Sequence, residues 1–190
     1  MHIYFITLQA ETQKAFVAHL ESFVRKYNPK RFEFAFDPEG AHKIYDYRIL
    51  WKASSVEPIS GEVGLDVIHL SDKGDLFHLL LNRKIDGLFY VTNSHFGDVY
   101  SEISQMRLLL PPQLLKQNKL TQGGVYFRDD VGSLLPEDLK TLSQTLKLPL
   151  YVETPQKVPH TCADIVHRLY QSNPRNKIPD LNTDQVDLPM

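Results

Sequence analysis

Residues 2–27 restrict the chain to a narrow set of folds. His2-Ile3-Tyr4-Phe5-Ile6-Thr7 is a run of β-branched and aromatic residues without polar alternation. A strand covered on both faces has that pattern, whereas a half-exposed strand alternates. The run is far too short to span a bilayer. Leu8 to Thr12 reads as a turn, and an amphipathic helix follows. Ala15, Phe16, Ala18, Leu20, Phe23 and Val24 supply its apolar face, with Lys14, Glu21, Arg25 and Lys26 elsewhere. A doubly buried strand turning sharply into an amphipathic helix opens a layered α/β fold. In such folds ligands, often phosphates, meet the helix N-terminus at the carboxyl end of the first strand.

Pro29 ends the first helix near Tyr27-Asn28, because it cannot continue a helix and disfavours helix in the residue before it. Arg31 to Phe36 alternates polar and apolar groups, a period-two strand signal. Asp37-Pro38-Glu39-Gly40 is turn chemistry. Lys43 to Trp51 is a further extended segment, and Gly64 to Leu70 another, with Val67-Ile68-His69-Leu70 as the second core strand. Residues 30–65 therefore read as a β-rich insertion or extended edge. Beyond them helix and strand alternate. A short helix is expected within Asp72–Asn82, then a strand at Gly87–Thr92 and a polar loop from Asn93 to Gly97. A helix over Asp98–Leu110 is closed by Pro111-Pro112. Gly123-Gly124 leads into the strand Val125-Tyr126-Phe127 and the loop Arg128–Ser133. A helix from Pro136 to about Leu146 takes Ser133 or a neighbour as its cap. Leu148–Val152 is the fifth core strand, and Thr161–Tyr170 a last helix.

These elements predict an α/β domain over residues 1–171. Its core is a flavodoxin-like doubly wound sheet of five parallel strands in order 2-1-3-4-5, with the β-rich insertion. Residues 172–190 form a proline-containing tail, read as a loose terminus or a docking arm. In this topology ligands sit at the switch point between the first and third strands. The loops there are Leu8–Gln13, Asn93–Asp98 and Arg128–Ser133.

Composition narrows the function classes. The formal net charge of −2 gives no electrostatic case for a nucleic-acid partner. Cys162 is the single cysteine, which rules out an intrachain disulfide and thiolate metal clusters. The histidines lack His-Glu-x-x-His spacing, and no Walker loop or serine elbow is present. With no leader and no long apolar run, a cytoplasmic protein with no membrane partner is expected.

Three pieces of sequence carry a resemblance to a known family. They are Ile6-Thr7-Leu8-Gln9-Ala10-Glu11-Thr12-Gln13 with Phe16-Val17, then Val67-Ile68-His69-Leu70, and finally Gly124-Val125 with Leu148–Glu153 and the closing Ile165-Val166 and Leu169-Tyr170. In order and spacing they resemble the small flavoprotein of class Ib ribonucleotide reductase, the NrdI family. The resemblance implies FMN as cofactor, electron transfer in place of stand-alone catalysis, and the class Ib ribonucleotide reductase small subunit as partner. Thr7, Gln9, Ala10, Glu11, Thr12 and Gln13 would then hold the phosphate. Asn93, Ser94, His95, Phe96 and Gly97, with Arg128, Asp129 and Gly132, would line the ring.

The chain departs from that pattern where the phosphate should sit. A flavin phosphate loop needs small hydroxyl residues and a glycine, so that backbone N–H groups converge on the dianion. Gln9-Ala10-Glu11 replaces the family's Ser-Gly-Asn, and Glu11 brings a carboxylate. Asp129-Asp130 adds two more acids, offset in part by Arg128. These departures motivate a second expectation, a cofactor-free binding or regulatory module on the same fold. A third is a hydrolase-like enzyme using Glu11 or Asp129. Each residue also has a plain structural reading. Glu11 suits the first turn of a helix, Phe96 and Tyr100 suit neighbouring packing positions, and Asp129-Asp130 suits a turn and cap.

Overall fold

The computed structural model describes residues 2–27, 33–37, 46–52, 62–70, 85–116, 120–154, 165 and 169. In chain order these give β1 (His2–Thr7), α1 (Ala10–Tyr27), β2 (Glu33–Asp37), β3 (Asp46–Lys52), β4 (Glu62–His69) and β5 (Gly87–Thr92). There follow α2 (Phe96–Leu109), the single-turn α3 (Pro112–Leu115), β6 (Thr121–Phe127), a 3₁₀ turn over Asp129–Ser133, α4 (Pro136–Leu146) and β7 (Leu150–Glu153).

The strands form one seven-stranded sheet in the order β2-β3-β4-β1-β5-β6-β7. β1 pairs in parallel with β4 on one side and β5 on the other, and β6 and β7 continue in parallel. Taken alone, the parallel strands follow the 2-1-3-4-5 order expected of a flavodoxin-like sheet. The β-rich segment extends the β4 edge. β3 runs antiparallel to β4, and β2 antiparallel to β3.

β1 is buried on both faces, which accounts for its unbroken apolar run. Ile3 and Phe5 join Phe16, Val17 and Leu20 of α1, together with Ile165 and Leu169, in one core. Tyr4 and Ile6 point the other way, into a core with Val99, Ile103 and Met106 of α2 and Leu142 and Leu146 of α4. Strand alternation thus sends successive residues to opposite helical layers. Aromatic rings cement the first layer, with Phe5 5.0 Å from Phe16 and 5.7 Å from Phe89.

Several local expectations are corrected. The Leu8–Thr12 turn is shorter, because α1 already begins at Ala10 and the Gln13 N–H bonds to the Gln9 carbonyl at 3.1 Å. Alanine is the best helix former and Glu11 is favoured by the dipole in the first turn, so helix propagates back to the strand. Phe96 and Gly97 likewise belong to the first turn of α2, where the Asp98 N–H bonds to the His95 carbonyl at 2.8 Å. Gly123 and Gly124 lie inside β6. A Cβ on Gly123 would stand 2.9 Å from the Phe89 ring and 3.2 Å from the Tyr151 ring, so the residue is small to admit neighbours, not to turn the chain. The α4 N-cap is Leu135 without a side-chain bond, while the Ser133 hydroxyl donates to the Asp130 carbonyl at 2.7 Å. The helix expected within 72–82 and the tail lie outside the described residues, as does most of the closing helix.

Candidate functional site

The carboxyl ends of β1, β5 and β6 place the three predicted loops side by side, and their side chains are tied to one another. Thr12, fully buried in the first turn of α1, donates its hydroxyl to Asn93 Oδ1 at 2.6 Å. Gln9 Nε2 donates to Ser94 Oγ at 3.2 Å. Thr7 and Gln13 are buried and turn towards β4, donating to the Ile68 carbonyl at 3.5 Å and the Val67 carbonyl at 3.1 Å. The β4 end closes in as well, with His69 Nε2 3.1 Å from the Leu8 carbonyl.

Beside the β5–α2 loop lies a carboxylate outside the predicted set. Glu102 is 5% exposed and its Oε2 accepts from the Thr92 and Ser94 hydroxyls. Its Oε1 has no hydrogen-bond partner among the described residues. Glu102 shares a helical face with Val99, Ile103 and Met106. A carboxylate in that apolar spacing was the signal available in the sequence.

On the other face of the sheet, beside α1, an open cavity of about 590 Å³ is lined by Ala15, His19, Asn93, Phe127, Arg128, Asp129 and Asp130. Ala15 and His19 are one helical turn apart and so share a face. The His19 and Phe127 rings pack edge to face with their centroids 5.3 Å apart. Arg128 Nε and Nη2 grip the Asp130 carboxylate at 2.6 and 2.8 Å, and Nη1 donates to the Asn93 carbonyl at 3.0 Å. This bidentate hydrogen bond holds the Asp130 carboxyl below the usual carboxylate range and the guanidinium above its own.

Of the predicted residues, Asn93, Arg128 and Asp129 line the cavity. Thr7, Thr12 and Gln13 are buried in internal bonds, and Ala10, Glu11, His95, Gly97 and Gly132 are exposed and outside its lining. Phe96 is half-buried and packs towards Tyr126 at 6.2 Å, which leaves it in the opposite core layer. Tyr100 is 49% exposed on α2. Neither Phe96 nor Tyr100 lines the cavity. His19 and Phe127, absent from the predicted set, form its ring-bearing wall.

FMN demands a cradle for a dianion, and these residues do not fit one. The β1–α1 connection is reduced to Leu8 and Gln9, the threonine hydroxyls already have acceptors, and a carboxylate occupies the arginine fork. Nothing lies within 4 Å of a Cβ built on Gly97 or Gly132, so neither glycine marks a close backbone approach. No protein-family model matches the chain, and no curated protein matches it either.

No helix among the described residues is long and apolar enough to cross a membrane.

Proposed function

We propose that this chain is a flavodoxin-fold binding module that works without a resident flavin, an accessory protein akin to those of class Ib ribonucleotide reductase. One observation carries the reading. The Asp130 carboxylate sits in the fork of Arg128, where an anionic ligand would have to bind. The Thr12–Asn93 and Gln9–Ser94 bonds support it, since they tie the β1 and β5 loops to each other. Such a module would act through the shape and charge of its three loops, held in register by the parallel sheet beneath them.

The test is an FMN titration of the purified chain followed by flavin fluorescence, with the visible spectrum recorded first. A colourless protein indifferent to FMN up to about millimolar concentration supports the module, as that limit corresponds to about −4 kcal/mol of binding. Saturable binding in the micromolar range would overturn it.

A second reading rests on a separate observation, the meeting of all three loops at the switch point beside a cavity of about 590 Å³, within the usual size of cofactor sites. On that reading the protein binds FMN after the Arg128–Asp130 pair opens, and passes electrons to the reductase small subunit. A flavin-coloured protein as purified would favour it.

A further inference from the structure

We propose that Ser94 is a nucleophile towards small activated carboxylic esters, with Glu102 as the base that takes its proton. The inference goes beyond the reading of the chain as a binding module, because Ser94 lies outside the lining of the cavity beside α1. It begins from a carboxylate in an apolar place. Glu102 is 5% exposed and shares its face of α2 with Val99, Ile103 and Met106. Among the described residues no salt bridge reaches it, and its Oε1 has no hydrogen-bond partner. Burying a carboxylate without a counter-ion is costly, and two hydroxyl donors need only a neutral acceptor. A glutamine carbonyl would accept from Thr92 and Ser94 as well. What the carboxylate adds is the capacity to take a proton.

The polar atoms around Ser94 fix the direction of its hydroxyl. Thr92, the last residue of β5, donates to Glu102 Oε2 and accepts from the Ser94 N–H at 3.2 Å. Ser94 donates its own hydroxyl to the same carboxylate oxygen, and its Oγ accepts from Gln9 Nε2 at 3.2 Å. The serine proton is therefore directed at a base that Thr92 orients, the arrangement an activated nucleophile requires. The bond to Gln9 is exposed, so the oxygen is reached from solvent. Although the glycines of a serine elbow are missing, Ser94 occupies the same strand-to-helix turn. The α2 N-cap, His95, makes no side-chain bond, which leaves the first-turn N–H groups of Phe96 and Gly97 for a developing oxyanion. Space beside them is open, since nothing lies within 4 Å of a Cβ built on Gly97. An ester carbonyl, neutral before attack and singly negative after it, suits this set better than a phosphate dianion above a carboxylate.

In the first step Ser94 Oγ bonds to the carbonyl carbon while its proton passes to Glu102. Collapse breaks the bond to the leaving alcohol, which departs with that proton, and the acyl group stays on Ser94. Water then adds to the acyl carbon and gives its proton to Glu102. The carboxylic acid leaves as that proton returns to Ser94 Oγ.

The probe is p-nitrophenyl acetate, mixed with the full-length chain at neutral pH. Phenolate release is followed by absorbance, and acetylated residues are mapped by mass spectrometry after acid quench. The expected result is release faster than in buffer, with an acetyl group on Ser94 that Ser94→Ala abolishes. Glu102→Gln keeps an acceptor for both hydroxyls and removes the base, so thermal unfolding should be unchanged while acylation slows about 100-fold. Exposed His95 adjoins Ser94 and can itself attack this ester, so His95→Ala is the control and should keep the activity. Release undiminished in Ser94→Ala, equal acylation by Glu102→Gln, or loss of activity in His95→Ala would each overturn the proposal. Absence of an acetyl group on Ser94 of the parent chain overturns it whatever the variants do.

Discussion

The Thr12 hydroxyl reaches Asn93 Oδ1 at 2.6 Å across 81 residues of chain, joining the first turn of α1 to the loop that follows β5. This bond spans the switch point of the sheet, the place where a doubly wound fold ordinarily opens a crevice for its ligand. Here a buried side chain bridges the crevice, and Gln9–Ser94 adds a second tie. The two loops are consequently one unit, and the room for a ligand moves sideways to the cavity between α1 and the end of β6.

Thr12→Val keeps the shape and removes the donor. Leaving the Asn93 oxygen without it should cost about 1–2 kcal/mol, seen as a fall in Tm of roughly 2–4 °C per kcal/mol for a chain of this size. No change in Tm would show that the tie is not stabilising.

Gly123→Ala should destabilise through overpacking. The added methyl would meet the Phe89 ring at 2.9 Å in a parallel sheet, where Gly123 pairs with Phe89 of β5 and the next residue, Gly124, with Leu150 of β7, which limits retreat. A cost of about 1–3 kcal/mol is expected by chemical denaturation. Gly132→Ala, with nothing within 4 Å, should cost far less.

Tyr90 gives the protein an alkaline limit. Burial pushes its phenol up from 10.0 to about 12, against the opposing influence of Arg107, and its hydroxyl donates to Gln122 Oε1 at 3.2 Å. Between these values the unfolded chain releases a proton that the folded chain retains, so stability falls as pH rises through that window. The loss amounts to roughly 2–3 kcal/mol at 1.36 kcal/mol per pKa unit. Tyr90→Phe should flatten the decline in denaturation midpoint above about pH 10. An unchanged slope would contradict the assignment.

The Arg128–Asp130 pair sets a dependence at the acid end. The folded Asp130 carboxyl lies below its ordinary 3.8 because of the bond to Arg128, so its contribution is complete above that value and is lost as pH falls through the lower, folded value. Asp130→Asn should remove this component from the Tm profile below about pH 4, the ordinary carboxylate range. The effect on stability is small because both side chains are solvent-accessible. A profile identical to that of the parent would show that the pair does not persist in solution.

Local pattern was sufficient for much of this molecule. The apolar run of β1 announced burial on both faces, the α1 periodicity announced its packing layer, and the succession of strands announced the 2-1-3-4-5 order with a β-rich insertion or extended edge, whose antiparallel direction the structure supplied. Those features follow from side-chain spacing, which acts over a few residues and is written directly in the chain. The site depended on partners far apart in sequence. Thr12 and Gln9 are ordinary loop-end residues until Asn93 and Ser94 arrive beside them. Arg128 suggests an anion site until its fork closes on Asp130, a choice of rotamer that no sequence period records. Sequence alone fixed which layers and which sheet order the chain adopts, because burial periodicity is local. Tertiary structure decided which polar groups remain for a ligand, because hydrogen-bond satisfaction is settled only when distant loops share one surface.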